Sequence, residues 1–572
     1  MAFAEVSGVG PAAPVRSAVY WQLTAPYVRR ALSLQDCNPR SRTYGCCDRQ
    51  FWQYRTISGF AAATMQQLAL PFAVLFANEF SGNEWHNDAG VLDRARAAML
   101  FWARLQHPSG AFDEWYRNEH SYCATAFTTF GVSEALLRLR SFLPEDEIGR
   151  ISHAISRAAG WLTNRFNGLV MNQNLACCAA LWNACECSGD RTLKRAFDAV
   201  WAKTLRHQDT EGWFPEYGGA DIGYSLLGLD LLGSLYARGW VDALSTAQPL
   251  CRFLSSFGFP ESDFASGLGS RGTEHAFAYG AEVFAPHLPE AAVLATHLRS
   301  GLGAKRLCRP ESVDDRYLAY FYLPSFTLAA SLGPTTADAD VPSATSIAWP
   351  RAGILIRRSP TANLVCSLNR MGAFTICTEK ATHRNFGYWA ETTDGKRWAS
   401  CGWRPSDSAW SPQSDPIEVS GRFIAVDDAL PLVRGDAAFR FVTHRFFRWG
   451  ALAEFVHRRL RVRKINRRRH GPFSFVRSLV WQGDDLIVRD EIRRSAVGAG
   501  VRRIGPTADI DVHSPSSRMS GSTRVEGIAI DESIAEAWAQ ELNVNGRLSL
   551  TTTYQPDRGG QLRFVSIRIE GR

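Results

Sequence analysis

Residues 209–232 read DTEGWFPEYGGADIGYSLLGLDLL. A turn at Thr210–Gly212 leads into a polar run carrying Glu216, Tyr217, Asp221 and Tyr224, softened by Gly218 and Gly219, and the chain then turns apolar for the length of a helix. The same unit stands earlier in the chain. Gly110-Ala111-Phe112-Asp113-Glu114-Trp115 resembles Gly212-Trp213-Phe214-Pro215-Glu216-Tyr217, and Tyr122 precedes Tyr224 by the same 102 positions that separate Gly110 from Gly212. A loop-then-helix unit used twice, several helices apart, predicts helical hairpins wound into a ring or solenoid with equivalent loops on one rim. Helix N-termini on that rim leave N–H groups unpaired and carry positive potential, which favours anions where the loops converge.

Around this stretch the apolar residues recur at three and four, as in Phe60–Phe76, Val91–Leu105, Ala124–Leu139, Ile148–Phe166, Leu175–Ala184, Leu193–Leu205 and Tyr224–Tyr236, the pattern of packed antiparallel helices. After Pro342 the period becomes two. Gly353–Arg358, Asn363–Leu368, Phe374–Thr378, Tyr388–Ser400, Phe439–Phe447, Phe473–Ile492 and Arg547–Ile569 read as strands and hairpins, turning at Asp394-Gly395, Gln482-Gly483-Asp484 and Arg558-Gly559-Gly560. The predicted fold is multidomain, α then β: an N-terminal extension over 1–50, an (α/α) toroid over 51–335, and an antiparallel β-sandwich over 345–572. The linker-like run LGPTTADADVPSATS falls at the boundary.

With 572 residues the chain exceeds what one core normally supports, and its 45% apolar and 21% charged content excludes wholesale disorder. The charge of +8 is uneven, because Val456–His470 holds eight Arg or Lys and no acid. Arg459–Arg463 alternates and reads as a half-buried strand with a basic face, which suits an acidic polymer; no nucleic-acid recognition motif accompanies it. Thirteen cysteines, with no CxxC pairs at zinc-finger spacing, read as small buried hydrophobes in a reducing compartment, with no structural metal. No apolar run is long enough to span a membrane. The start MAFAEVSGVGPAAPVRSAVYWQL lacks a basic segment followed by an apolar one, so a cytoplasmic location is expected, or an exported one if the start is misassigned.

Four short segments resemble the heparinase II/III-like polysaccharide lyases and their alginate-lyase-like relatives, whose α/α toroid precedes an antiparallel β-sandwich. The first is Met171-Asn172-Gln173-Asn174-Leu175, where the resemblance implies an amide that binds a uronate carboxylate: Asn172 or Asn174, with Gln173 or Asn174 standing where the family often has His. The second is the opening stretch, in which Tyr224, with Tyr217 as runner-up, matches the catalytic tyrosine. The third, Ser270-Arg271-Gly272-Thr273-Glu274-His275, offers Arg271 for bidentate carboxylate binding and Glu274 or His275 to orient a neighbour. The fourth, Lys380–Tyr388, offers His383 as the β-domain histidine, without the family's usual second His and Asp. Glu114, Tyr122, Glu216 and Asp221 complete the expected substrate-binding set.

The reaction so implied is β-elimination from a uronate-containing chain. Fixed donors such as Asn172, Asn174 and Arg271 would stabilise charge developing on the sugar carboxylate, so neither metal nor cofactor is required. Tyr224 would then serve as base and acid, alone or shared with His383. Two other readings stay open at this point. Helical toroids also host inverting glycoside hydrolases, for which Glu114, Glu216 and Asp221 would supply the carboxylates, and a non-catalytic glycan-binding role in polysaccharide assembly fits an absent export signal.

Overall fold

The computed structural model describes residues 18–54, 58–259, 264–333, 338–339, 346–403, 416–426, 433–447, 456, 470–495, 500–508, 525–556 and 562–569. The predicted basic strand at Arg459–Arg463 and most of the linker therefore lie outside the described residues.

Twelve helices form two concentric layers. The inner layer contains α2 (Ala69–Ala77), α4 (Tyr122–Leu139), α6 (Met171–Ser188), α8 (Ile222–Ala237), α10 (Tyr279–Phe284) and α12 (Leu323–Ala330). Each packs on the next and α12 returns to α2, so the ring closes. The outer layer contains α1 (Ala18–Ser33), α3 (Ala89–Leu105), α5 (Glu145–Thr163), α7 (Arg191–Leu205), α9 (Asp242–Ser255) and α11 (Pro289–Gly303). Sequence decides the layer. In α8 every residue from Ser225 to Leu235 is buried, whereas α5 buries one face, including Ile148, Ile151, Ala154, Ile155, Ala158, Ala159, Trp161 and Leu162, and opens on Glu145, Asp146 and Glu147, acids that suit a helix N-terminus. The segment α1, which the sequence places in an N-terminal extension, packs against α12 and α11.

Close approach between inner helices depends on small residues. A Cβ on Gly280 would lie 2.2 Å from the carbonyl oxygen of Leu229, so α8 and α10 touch backbone to backbone.

Among the described residues the β half is two facing sheets, antiparallel but for one edge strand. A six-stranded sheet runs β14-β7-β6-β5-β4-β3, with β3 Ser346–Trp349, β4 Ile354–Arg358, β5 Asn363–Ser367, β6 Ala373–Cys377, β7 Thr382–Asn385 and β14 Val525–Glu526, the last pairing parallel to β7. An eight-stranded sheet runs β13-β8-β9-β10-β11-β12-β15-β16, from Val501–Pro506 (β13) and Tyr388–Thr392 (β8) through Arg397–Ala399 (β9), Ile417–Ala425 (β10), His470–Gln482 (β11), Asp485–Arg494 (β12) and Arg547–Pro556 (β15) to Leu562–Ile569 (β16). Leu355, Leu364, Phe374 and Ile376 of the first sheet meet Val419, Leu479, Val488 and Tyr554 of the second. The helical half followed by antiparallel sheets is the predicted fold class.

One predicted strand is a helix. Phe439–Phe447 lies largely in α13 (Val433–Arg445), where Phe439, Thr443 and Phe447 recur every four residues and turn inward while Phe441, Val442 and Phe446 are exposed. The run FRFVTHRFF fits both periods, and packing of Phe439 on Tyr116 of the toroid, centroids 5.0 Å apart, selects the helical one.

Candidate active site

The rim loops of the toroid surround one cavity of about 720 Å³. Asn172, Gln173, Tyr217, Tyr224, Arg271 and Glu114 line it, bringing together residues from four segments distant in sequence.

The two-strand hairpin β1 (Pro215–Glu216) and β2 (Gly219–Ala220) turns at Tyr217-Gly218, with φ of 55° and 90°. Tyr217 N–H donates to the Leu169 carbonyl at 2.6 Å, which ties the hairpin to the start of α6. Trp403 from the β half covers Gly219, where a Cβ would lie 2.1 Å from the indole. Behind the turn, Glu216 is buried and accepts the backbone N–H of Asn172 at 2.8 Å, serving one of the orphan donors in the first turn of α6. Burial pushes Glu216 up to about 8, opposed by its bond from Asn172.

Asp221 is also buried. It caps α8 through Tyr224 N–H at 3.1 Å and accepts Arg271 N–H at 2.9 Å and the Thr273 hydroxyl, fastening the 270–273 loop to the helix that carries Tyr224. Arg271 then lies over the Tyr217 ring, 4.3 Å from its centroid. Among the described residues no carboxylate pairs with that guanidinium. Burial raises the Tyr224 phenol well above its ordinary pKa; Tyr317, Tyr217 and Asp221 add to this and Arg271 opposes it.

Of the opposite wall, the sequence pointed only to Glu114. Trp115 is 60% exposed and carries Arg316 on its ring, 3.7 Å from the centroid. Arg316 is held by the carboxylate of Glu114 at 3.3 Å and by its carbonyl at 3.1 Å. Arg30, Asp48, Asp315, Tyr317 and Tyr320 also reach the cavity, and Arg30 pairs with Asp315 at 2.6 Å. A lone DDRY run carries no signal that distinguishes a cavity wall from a surface turn.

Other sequence candidates stand elsewhere. Asn174 is fully buried and accepts from Tyr122 Oη at 2.8 Å, so both serve packing between α4 and α6. Tyr122 and Tyr224 are not equivalent in place: the N-caps Ser121 and Asp221 are 100 apart, not 102, so Tyr122 is first in its helix and Tyr224 third. Glu274 pairs with Arg384 of β7 at 2.5 Å. His275 is buried beneath Tyr317, ring centroids 5.3 Å apart, and burial pushes it down to about 3. His383 does not reach the cavity. Strand alternation in β7 sends Arg384 toward the toroid and turns His383 and Asn385 into the sandwich, where both meet Tyr554. Burial pushes His383 down to about 4.

The chain is similar to the solved structure of a chondroitin AC lyase from Streptomyces coelicolor A3 in complex with chondroitin sulphate. Identity is 11% over 86% of this chain and 69% of that one, with a TM-score of 0.49. It is also similar to a Paenibacillus xanthan lyase, at 8% identity over 86% of this chain and 47% of that one, with a TM-score of 0.48. No protein-family model matches the sequence. No curated protein matches it either.

Chemically, the cavity joins the Arg271 guanidinium, the Asn172 and Gln173 amides and the Tyr217 and Tyr224 phenols with the exposed indole of Trp115. Anion neutralisation and proton transfer are the chemistry these groups perform.

Proposed function

We propose that the chain is a polysaccharide lyase that cleaves a uronate-bearing acidic polysaccharide or oligosaccharide by β-elimination. The observation that carries this reading is the convergence of Asn172, Arg271 and Tyr224 on one open cavity, with Arg271 free of any carboxylate partner among the described residues. A sugar carboxylate docks between Arg271 and Asn172, whose donors strengthen as charge flows onto it from C5. Trp115, with one face on Arg316, offers its exposed surface to a neighbouring sugar ring. Tyr224 takes part in proton transfer at the scissile bond.

The three carboxylates that the hydrolase reading offered have other partners. Glu216 and Asp221 are buried and committed to backbone N–H groups, and Glu114 is held by Arg316 and Ser121. A panel of acidic polysaccharides tests the proposal: wild type should generate an unsaturated sugar end that absorbs in the near ultraviolet, and Tyr224→Phe should lose that signal while remaining folded. New reducing ends without the absorbance would favour hydrolysis; binding with neither product would favour a glycan-binding protein.

A further inference from the structure

Elimination requires two proton transfers, one from C5 and one to the departing O4, and the cavity brings Tyr217, Tyr224 and Arg271 together. We propose that Tyr217 is the general base that removes the C5 proton and Tyr224 the general acid that protonates O4, an assignment that rests on the elimination reading above.

Three observations separate the two tyrosines. First, the Arg271 guanidinium lies face-on to Tyr217, 4.3 Å from its ring centroid. A guanidinium keeps its charge at any relevant pH, so its presence favours the phenolate of the ring it covers. Second, the backbone of Tyr217 is held at φ 55°, a region that bulky residues seldom occupy. The bond to Leu169, the hairpin and the Trp403 indole over Gly219 keep it there, at the cavity wall, and strain retained at such a position is characteristic of a functional site. Third, the surroundings of Tyr224 hold its proton on despite Arg271, which opposes this: burial is the largest cause, and Tyr317, Asp221 and negative charge on Tyr217 act with it. Ionising Tyr217 therefore keeps Tyr224 protonated, and a pair whose environments push their acidities apart divides the base and acid roles. No histidine lines the cavity among the described residues, since His275 lies beneath Tyr317 and His383 faces the sandwich.

In the step itself the Tyr217 phenolate oxygen takes the C5 proton. The C5–H electron pair becomes the C4=C5 double bond, and the C4–O4 bond breaks with its electrons going to O4. O4 receives the Tyr224 proton. Exchange with water returns the proton from Tyr217 and restores that of Tyr224, so no oxidant or further reactant is needed.

A uronide with fluoride at C4 separates the roles, because fluoride leaves without a proton. Both Tyr→Phe variants keep their rings, and each is first checked for an unchanged thermal midpoint. Tyr224→Phe should lose about 100-fold or more on polysaccharide yet release fluoride within about 10-fold of wild type. Tyr217→Phe should lose about 100-fold or more on both substrates. Fluoride release retained by Tyr217→Phe but lost by Tyr224→Phe would reverse the assignment, and wild-type rates in Tyr217→Phe would overturn it. If wild type forms no unsaturated product from any uronide, the elimination reading itself falls and this assignment with it.

Discussion

Asn172 projects from the first turn of α6, and what fixes that turn is a carboxylate inside the fold. Its amide N–H ends on Glu216, whose buried group is pushed from its ordinary 4.5 up to about 8. A carboxyl raised in the folded state contributes stability that is complete below its unfolded value and lost as pH rises through the folded one. Wild type should therefore lose thermal midpoint from about pH 4.5 to about pH 8 through this group, and Glu216→Gln, which keeps an acceptor for Asn172 without charge, should flatten that decline. Differential scanning fluorimetry across that range measures it; parallel curves for the two proteins would refute the account. Asn172→Ala removes a donor that acts on charge developed in the transition state, so kcat should fall about 100-fold or more with little change in KM. Residue-level legibility was uneven for a physical reason. Asn172, Gln173, Tyr217, Tyr224, Arg271 and Glu114, which the sequence singles out because their segments repeat or carry unusual chemistry, all line the cavity. Glu216 turns inward while Tyr217 beside it faces the cavity, Asp221 is taken up in capping α8, and His383 lies one residue out of phase with Arg384; sequence does not say which side of a strand is the cavity.

Between neighbouring hairpins of the toroid a single device recurs. After an outer helix a glutamine amide donates to the carbonyl of a glycine in its own loop and to a carbonyl of the next outer helix. Gln106 reaches Gly110 and Ala154 at 3.1 and 2.8 Å; Gln208 reaches Gly212 and Thr246, both at 3.0 Å; Gln35 reaches Gly45 and Arg94 at 3.3 and 2.9 Å. The glycines hold φ of 97°, 100° and 89°, and a Cβ on any of them would lie 2.1–2.4 Å from a carbonyl oxygen of that next helix. Two copies coincide with the sequence repeat that starts at Gly110 and Gly212, and in both the glutamine stands four residues before the glycine. The third was hidden because Gln35 and Gly45 are ten apart, an insertion that leaves the bonds intact. Gln208→Ala strands two carbonyls and should destabilise the protein by about 1–2 kcal/mol in urea unfolding. Gly212→Ala should do worse, since positive φ and a backbone clash combine; equal midpoints for Gly212→Ala and wild type would contradict the packing described.

At the scale of the molecule, the order of the two halves was legible because period 3.6 and period 2 do not mix, but their union was not. An apolar strand residue looks the same in sequence whether it meets the other sheet or the toroid. In β4, Leu355 faces the sandwich interior while Ile354 and Ile356 join the core that runs through the helices, along with Val365, Cys377 and Phe386. Polar bonds reinforce the seam. Arg358 donates to the carbonyls of Ser256 and Gly258 at 3.0 and 2.8 Å, Glu211 accepts the N–H groups of Arg351 and Ala352, and buried Arg370 donates to Gly269 and Ser270 at 2.7 and 3.2 Å, next to Arg271. The loop that presents Arg271 to the cavity is thus fixed from the β half. A shared apolar core of this kind, unlike the polar seam usual between domains of one chain, prevents either half from unfolding without stripping the other. Calorimetry should show one transition whose calorimetric and van't Hoff enthalpies agree. Arg370→Met should lower that single midpoint and also reduce turnover, because the Arg271 loop loses its outer support. Two resolved transitions in wild type, or turnover unchanged in Arg370→Met despite a lowered midpoint, would mean that the sandwich stands beside the site without holding it.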